Sequence, residues 1–466
     1  MKDVFTGIAG AVFAIISIVP FHLTNNAQPS PYMDEIFHVP QAQRFCDGNF
    51  SYWDPMITTL PGLYLSSLVI LKPLTLIPST NIVCSTHNLR AVNIIFMTLN
   101  MILLYLIIQK LHSKNKIISR SMIIANAWIL SFFPILYFFT WLYYTDPGAV
   151  FFTLLMYYLN LCDHHFLSAM AGVFAVVFRQ TNIVWVIFVM GLAKGRQLLK
   201  FIAEEKKDIS KMSDFKVLYT IFNLYLKTLR FKPSRAFELK WNILKSCFWY
   251  MIVLFGFASF VYINGSIVVG DKSHHSACFN IPQIFYFLSV TLVFSIMHLA
   301  SPSKLIYFFR FSIQSPVRVS LFVLLSYYAI THYTYVHEYL LADNRHYPFY
   351  VWMKIYRRHD YVKYGLIPVY LYSAISVSRL LETRDIFWKL CFVICLFACT
   401  VPQKLLEFRY FIIPYLIFRV NISVTSKFKL FIEFLLYTTV NILTVYIYLF
   451  KTFKWENSVE LQRFMW

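Results

Sequence analysis

The sequence predicts an all-α, polytopic membrane protein. Three observations carry this expectation. Of 466 residues, 58% are hydrophobic and only 14% charged, mean hydropathy is +0.58, and apolar runs of spanning length recur along the whole chain. Soluble domains carry about a quarter charged residues. A chain this apolar would leave too much of its surface unsolvated in water and needs lipid around it.

The first element follows directly. Residues 4–23 form an apolar run behind Met1-Lys2-Asp3, and about 20 such residues at 1.5 Å each cross a ~30 Å hydrocarbon layer. The run exceeds the core of a signal peptide and lacks a small-residue cleavage site, so it reads as a retained span. Further apolar stretches lie near 89–109, 121–139, 147–162, 165–178, 183–199, 246–263, 283–299, 317–336, 364–380, 386–402, 409–422 and 430–450. With the first they make about thirteen spans in one membrane domain, 1–466. The piece 61–79 is broken by Pro61, Pro73 and Pro78 and reads as re-entrant or interfacial.

Charge then sets orientation. The chain has 42 Lys+Arg against 22 Asp+Glu, a net +20. In a soluble protein that excess would point to nucleic acid, but no RNP-like motif, zinc-finger spacing or basic recognition helix is present. The basic residues gather instead in 194–245, which holds thirteen Lys/Arg against five acids, and in 110–120, which holds Lys110, Lys114, Lys116 and Arg120. Both stretches are expected in the cytoplasm. Counting spans outward puts 24–88, 140–146, 179–182, 264–282, 337–363 and 403–408 on the far side. Of the eight cysteines, Cys391, Cys395 and Cys399 recur inside a span as packing residues. Cys46 and Cys84 fall on the far side, where an oxidising lumen would permit but not require their pairing. Asn49 heads the one glycosylation sequon well clear of the membrane.

The far-side segments hold the polar chemistry. Tyr32-Met33-Asp34-Glu35-Ile36-Phe37-His38-Val39-Pro40-Gln41 puts two carboxylates, an imidazole and an amide directly after a span. Either Asp34 or Glu35 could take a proton from a hydroxyl; the alternative is an acidic cap on a helix starting near Glu35. Trp53, before Asp54-Pro55, offers a face for a sugar or belongs to an interfacial aromatic belt. Asp146-Pro147 is either a helix start or a ligand site. Arg179 interrupts an apolar run; an arginine in hydrocarbon costs roughly 2.5–3.5 kcal/mol on insertion scales, so it needs an anionic partner such as a lipid phosphate. Asp343, Arg345 and His346 lie among aromatics, and Arg409 follows Glu407 at the mouth of a span. The pair His274-His275 is a poor metal site, since neighbours rarely ligate one ion, and no His-Glu-x-x-His or Cys-x-x-Cys occurs. No phosphate loop, dinucleotide glycine motif or Asp-x-Asp pair is present either, which suits a donor that is not a nucleotide.

Taken together these motifs resemble one eukaryotic family. Its features are Met33-Asp34-Glu35-Ile36-Phe37-His38-Val39-Pro40-Gln41-Ala42-Gln43, Pro55-Met56-Ile57-Thr58-Thr59 with Pro61-Gly62-Leu63-Tyr64, Phe178-Arg179-Gln180-Thr181-Asn182, Gly270-Asp271-Lys272-Ser273, Leu341-Ala342-Asp343-Asn344-Arg345-His346-Tyr347, and Gln462-Arg463-Phe464-Met465-Trp466. That family is the dolichyl-phosphate-glucose-dependent alpha-1,2-glucosyltransferases of asparagine-linked glycan assembly; Leu60 stands where it would lead one to expect a second proline.

The resemblance implies a C-type glycosyltransferase fold in the endoplasmic reticulum membrane, with its site facing the lumen. It implies dolichyl phosphate glucose as donor, a dolichyl-diphosphate-linked oligosaccharide as acceptor, inversion at the transferred sugar, and Asp34 as base with Glu35 beside it. His38, Gln41, Trp53, Asp146, Arg179, Asp343, Arg345, His346 and Arg409 are then candidates for substrate binding. No cofactor beyond the lipid donor is expected, no metal ligand set is seen, and the metal requirement stays open. A lipid or sugar transporter would also explain the spans but should show internal repeats, and none is found. A channel-accessory protein would leave the clustered acids, arginines and histidine unexplained.

Overall fold

The computed structural model describes residues 2–73, 83–113, 115, 117–205, 212–272, 277–456 and 460–466. The protein is all-α and membrane-embedded: among these residues extended pairing is limited to two isolated bridges, His346 with Met465 and Phe453 with Gln462.

Among the described residues, four helices are long and apolar enough to cross a bilayer unaided: Thr6–Ala27, Thr86–His112, Pro233–Asn264 and Lys427–Phe450. Each has a reason to start or stop where it does. Ser85 and Ser426 cap two of them through bonds from the backbone N–H groups of Asn88 and Lys429. Pro233 opens the third, and Gly265, at φ 70°, closes it in the left-handed conformation. Thr86–His112 is the central post, with 61% of its apolar window buried. Pro233–Asn264 is peripheral, with 17% buried, and it turns Phe237, Trp241, Phe248 and Phe255 outward. Such a face is stable only against lipid.

Several expected spans are interrupted. The stretch 121–139 is two helices, Arg120–Ser131 and Pro134–Phe138, because Pro134 lacks the N–H needed to continue the first. The stretch 283–299 breaks at Ser295 into Pro282–Phe294 and Ile296–Leu299. The span at 317–336 becomes Pro316–Tyr333, and it meets Pro302–Gln314 at 97°. Pro316 drives Ser315 out of the helical region (φ −131°, ψ 56°) and turns the chain there.

The basic stretch 194–245 is largely helical rather than a loop. Within it, Asp214–Phe231 buries Val217, Ile221, Leu224 and Thr228, the spacing of one amphipathic face; Lys206 and Lys207 lie outside the described residues. The described part of 61–79 holds the ten-residue helix Gly62–Leu71, roughly 15 Å long and too short to cross alone.

The polar segments converge at one end of the bundle. Gln180 Nε2 donates to the Thr58 carbonyl (2.9 Å), Val269 N to the same carbonyl (3.2 Å) and Asp271 N to that of Pro55 (2.8 Å). Asn280 N reaches the Val401 carbonyl at 2.9 Å. Tyr143 N donates to Glu35, Asn280 also reaches the Gln403 carbonyl, and Asp34, Asp343 and Glu407 line one cavity, so described parts of all six segments expected on the far side share one surface. Cys46 and Cys84 form a disulfide that closes the first of them.

Candidate functional site

The site begins with a backbone turn. Met33 sits at φ 57°, a left-handed conformation unusual for a side chain of its size. Asp34 follows, and its side chain is 44% exposed. It is the first residue before the helix Glu35–Cys46, yet its carboxylate makes no capping bond. The capping alternative is thereby set aside. The carboxylate instead faces Arg409, whose Nη1 lies 3.3 Å from Oδ2.

Glu35, one residue on, has the opposite fate. It is 0% exposed. Its Oε1 accepts from Arg90 Nε (2.8 Å) and Tyr143 N (2.5 Å), and its Oε2 from Arg90 Nη2 (2.6 Å) and Tyr32 N (3.0 Å). Arg90 also binds Asn25 Oδ1 and the carbonyls of Gln28 and Ser30. Every oxygen of Glu35 is in use and none meets solvent. So placed, Glu35 ties the first loop to the central helix and has no oxygen open to a substrate hydroxyl.

Around Asp34 the charges form a chain. Arg409 grips Glu407 with two bonds (3.1 and 3.0 Å) and lies 3.8 Å from Asp146 Oδ2. Asp146 is 2% exposed, pairs through Oδ1 with Arg179 Nη1 at 2.5 Å, and leaves Oδ2 without a hydrogen bond. Asn93 holds the carbonyls of Leu142 and Tyr144, and Asn100 that of Pro147, so the central helix fixes the backbone on which Asp146 stands. Arg179 follows Phe178, which packs against two glycines: a methyl group on Gly62 would come within 2.8 Å of its ring, and Gly148 leaves still less room.

Electrostatics separate the groups. Desolvation would raise the Asp34 carboxyl, but Arg409, with help from His38 and His346, outweighs it and holds it below the usual carboxylate value. Glu407 is likewise desolvated and likewise held low by Arg409. His38 is pushed down to about 4 by burial, with Arg409 and Arg179 acting in the same sense against Asp34 and Asp146. It is a neutral imidazole at pH 7, and its Nδ1 lies 2.5 Å from the Tyr64 hydroxyl.

Other expected residues separate into those at the cleft and those that brace it. Gln41 is 1% exposed and spans from the Tyr52 carbonyl to Asp54 N. Trp53 donates to the Ile57 carbonyl and packs on Phe45 and Tyr64. In this structure both brace the first loop. Asp343, Arg345 and His346 do reach the cleft. Arg345 is fully engaged, however: Nε and Nη2 hold Asp343 (2.9 and 2.8 Å), Nη1 holds Gln462 (3.1 Å), and Trp455 lies 4.5 Å from the guanidinium. His274 and His275 lie outside the described residues.

Two neighbouring cavities result. One, about 340 Å³, is lined by Asp34, Asp343, His346, Glu407, Arg409 and Trp455 among others. The other, about 150 Å³, is lined by Thr58, Arg179, Gln180, Gln403, Arg409 and Tyr410 among others. Arg409 lines both. Sequence reasoning missed Tyr144, whose hydroxyl accepts from Asp34 N at 3.3 Å and whose ring lies 5.4 Å from the Arg409 guanidinium. It also missed Trp455, and it placed Glu407 at the mouth of a span without counting it among the site residues. Tyr144 and Glu407 stood in far-side segments already marked as polar; Trp455 had no signal.

A helical membrane protein whose carboxylates and arginines meet beside a half-open cleft at one end is a membrane-embedded enzyme. The chain belongs to the DIE2/ALG10 family, whose sequence model matches residues 28–420. It is 45% identical to the rat (Rattus norvegicus) protein named Dol-P-Glc:Glc(2)Man(9)GlcNAc(2)-PP-Dol alpha-1,2-glucosyltransferase, over 97% of this chain and 96% of that one. A human (Homo sapiens) protein of the same name is 44% identical with the same coverage. One from Drosophila melanogaster is 35% identical over 97% of each chain. No solved structure matches the chain significantly.

Proposed function

We propose that this protein is an inverting α-1,2-glucosyltransferase. It moves glucose from dolichyl phosphate glucose to the terminal glucose of the Glc2Man9GlcNAc2 oligosaccharide on dolichyl diphosphate, as the names of its relatives describe for them. It works in the endoplasmic reticulum membrane with the cleft facing the lumen. Two features support that orientation. The cleft end has the Cys46–Cys84 disulfide, which belongs in an oxidising compartment. The basic residues gather beyond the far end of Ile183–Glu204, as cytoplasmic segments do.

The observation that carries the catalytic assignment is the split between neighbours: Asp34 half-exposed beside one cation, Glu35 sealed. Asp34 accepts the proton of the acceptor 2-hydroxyl while that oxygen bonds to C1 of the donor glucose. The C1–O bond to phosphate breaks on the opposite face, and dolichyl phosphate leaves with the electron pair. One displacement turns a β donor into an α product. Arg179 is the strongest candidate for the phosphate, since it uses a single N–H on Asp146 and faces the smaller cavity. Arg345, locked onto Asp343 and Gln462, is a poorer one.

The test is transfer of labelled glucose by the purified protein from a dolichyl phosphate donor to a lipid acceptor ending in two glucoses. The expected product has one added α-1,2-linked glucose. Transfer from UDP-glucose instead, or a β-linked product, would sink the proposal.

A further inference from the structure

A separate cavity of about 440 Å³ lies beside the one that holds Asp34. The short helix Glu338–Ala342 forms part of the wall between them. Leu341 lines the separate cavity, whereas Tyr339, Leu340 and Ala342 line that of Asp34. The reaction described above makes no use of this space.

Its floor is aromatic and its rim polar. Trp352–Tyr356 forms a π-helical turn, a rare geometry kept mostly at functional places. The wider turn lets Trp352 and Tyr356 stack, with ring centroids 5.7 Å apart and planes at 18°. Tyr286 meets Tyr356 edge-on at 5.3 Å, and the hydroxyls of Tyr356 and Tyr370 are 3.0 Å apart. Arg357, Asp360 and Lys363 line it too, with Thr331 and Thr334, beside the apolar Phe285, Ile330 and Val336.

That combination selects a chemistry. Sugar rings present C–H faces that pack on aromatic rings and hydroxyls that both donate and accept, as a rim carrying carboxylate, cations and hydroxyls requires. A phosphate would meet the Asp360 carboxylate, and a hydrocarbon tail would desolvate Arg357, Asp360 and Lys363 without offering those charges a partner.

We propose that this cavity binds inner sugars of the acceptor glycan, behind the terminal glucose presented to Asp34. The inference rests on the proposed function for the identity of that glycan. It makes the protein a reader of acceptor length as well as of the acceptor's last sugar.

The test compares two acceptors: the full lipid-linked Glc2Man9GlcNAc2 glycan and a short synthetic lipid ending in a glucose disaccharide. Asp360→Ala and Lys363→Ala alter side chains at the rim, and Tyr356→Phe removes a hydroxyl while keeping the ring. Each should raise KM for the full glycan roughly three- to tenfold, the loss of one or two polar contacts. KM for the short acceptor and for the donor should not move, which a merely structural defect would not achieve. Equal changes for both acceptors, or none, overturn the cavity assignment. If the wild-type protein turns over neither acceptor, titration with the released soluble glycan decides. Saturable binding weakened by Asp360→Ala sustains the cavity while the proposed reaction falls; absent or unaltered binding overturns the cavity.

Discussion

Two of the arginines that hold carboxylates in this protein, Arg409 and Arg419, lie toward opposite ends of the central helix, and their surroundings differ in almost every respect. Arg409 belongs to the cleft near Arg90. Arg419 lies by the other end, where His112 Nε2 meets the Val420 carbonyl at 2.8 Å, about 33 Å along the helix from Arg90. Arg419 is 0% exposed and clamps Glu433 with bonds of 3.0 and 2.6 Å. His298 and Tyr437 add their own contacts to Glu433, and Asn126 accepts from Arg419. One carboxylate is surrounded by several donors, in apolar surroundings. Arg409, by contrast, is shared among three carboxylates from distant parts of the chain, and one of these, Asp34, is nearly half exposed. The residue types are the same. Whether the carboxylate keeps an oxygen free, with space beside it, separates a fastening from a working group.

The sharpest break of this contrast is Asp34→Asn. It keeps shape and removes basicity, so turnover should fall by roughly 10²–10⁴ while the melting temperature in detergent stays within a degree or two of wild type. Near-full activity in Asp34→Asn would end the assignment, and Asp343 would be next to test. Arg419→Met should do the reverse. It strands Glu433 as a buried charge, a loss of about 3–5 kcal/mol, visible as a lowered unfolding midpoint, with kcat per folded molecule unchanged. Adding Glu433→Leu should restore much of the loss, because no charge is then stranded; failure to restore it would mean the cluster does more than fasten.

A smaller effect tests the packing behind Arg179. Gly148→Ala forces a methyl group against the Phe178 ring. The overpacking should cost about 1–3 kcal/mol, and displacement of Arg179 should raise donor KM more than acceptor KM. An unchanged donor KM would show that Phe178 does not set the Arg179 position.

The mildest test is pH. Asp34, held below the usual carboxylate value by Arg409 against desolvation, stays ionised as pH falls through the ordinary carboxylate range. Its basic function is lost only below its depressed value. His38, at about 4, adds no step between pH 5 and 8. The profile of kcat/KM should be flat there, and Arg409→Gln should move its acid limb to higher pH. A limb near neutrality in the wild type would point to a histidine.

How much of this was legible follows from how local each cause is. The all-α membrane fold, the shared surface of the polar segments, and Asp34, Arg179 and Arg409 could be read because hydropathy and charge asymmetry are properties of short windows. Glu35 could not be told from Asp34. Its burial depends on Arg90, 55 residues on, and on Tyr143 N, 108 residues on. Gln41 and Trp53 looked like ligand residues because strut and ligand use the same side chains. The break at Ser295 falls inside a continuous apolar run, where hydropathy has no signal for a kink, whereas the break at Pro134 is announced by the proline and passes unseen only to hydropathy. Trp455 reaches the cleft beside the folded-back residues 460–466, where Met465 N bonds the Arg345 carbonyl at 2.9 Å and Arg463 bonds the Tyr448 carbonyl. No window contains that path.

Because Arg409 lines both cavities, they are linked by reciprocity. An anion entering the smaller cavity draws on the positive charge that also faces Asp34, and the proton affinity of Asp34 rises. A proton arriving on Asp34 in turn frees that charge to hold the anion harder. In the proposed reaction both changes run in the useful direction. Asp34 is a weak base while the donor is absent and a stronger one once the phosphate is seated. As it takes the acceptor's proton, the departing phosphate, gaining negative charge at that moment, meets a more available cation. In that proposed reaction the shared guanidinium would time the two half-events against each other.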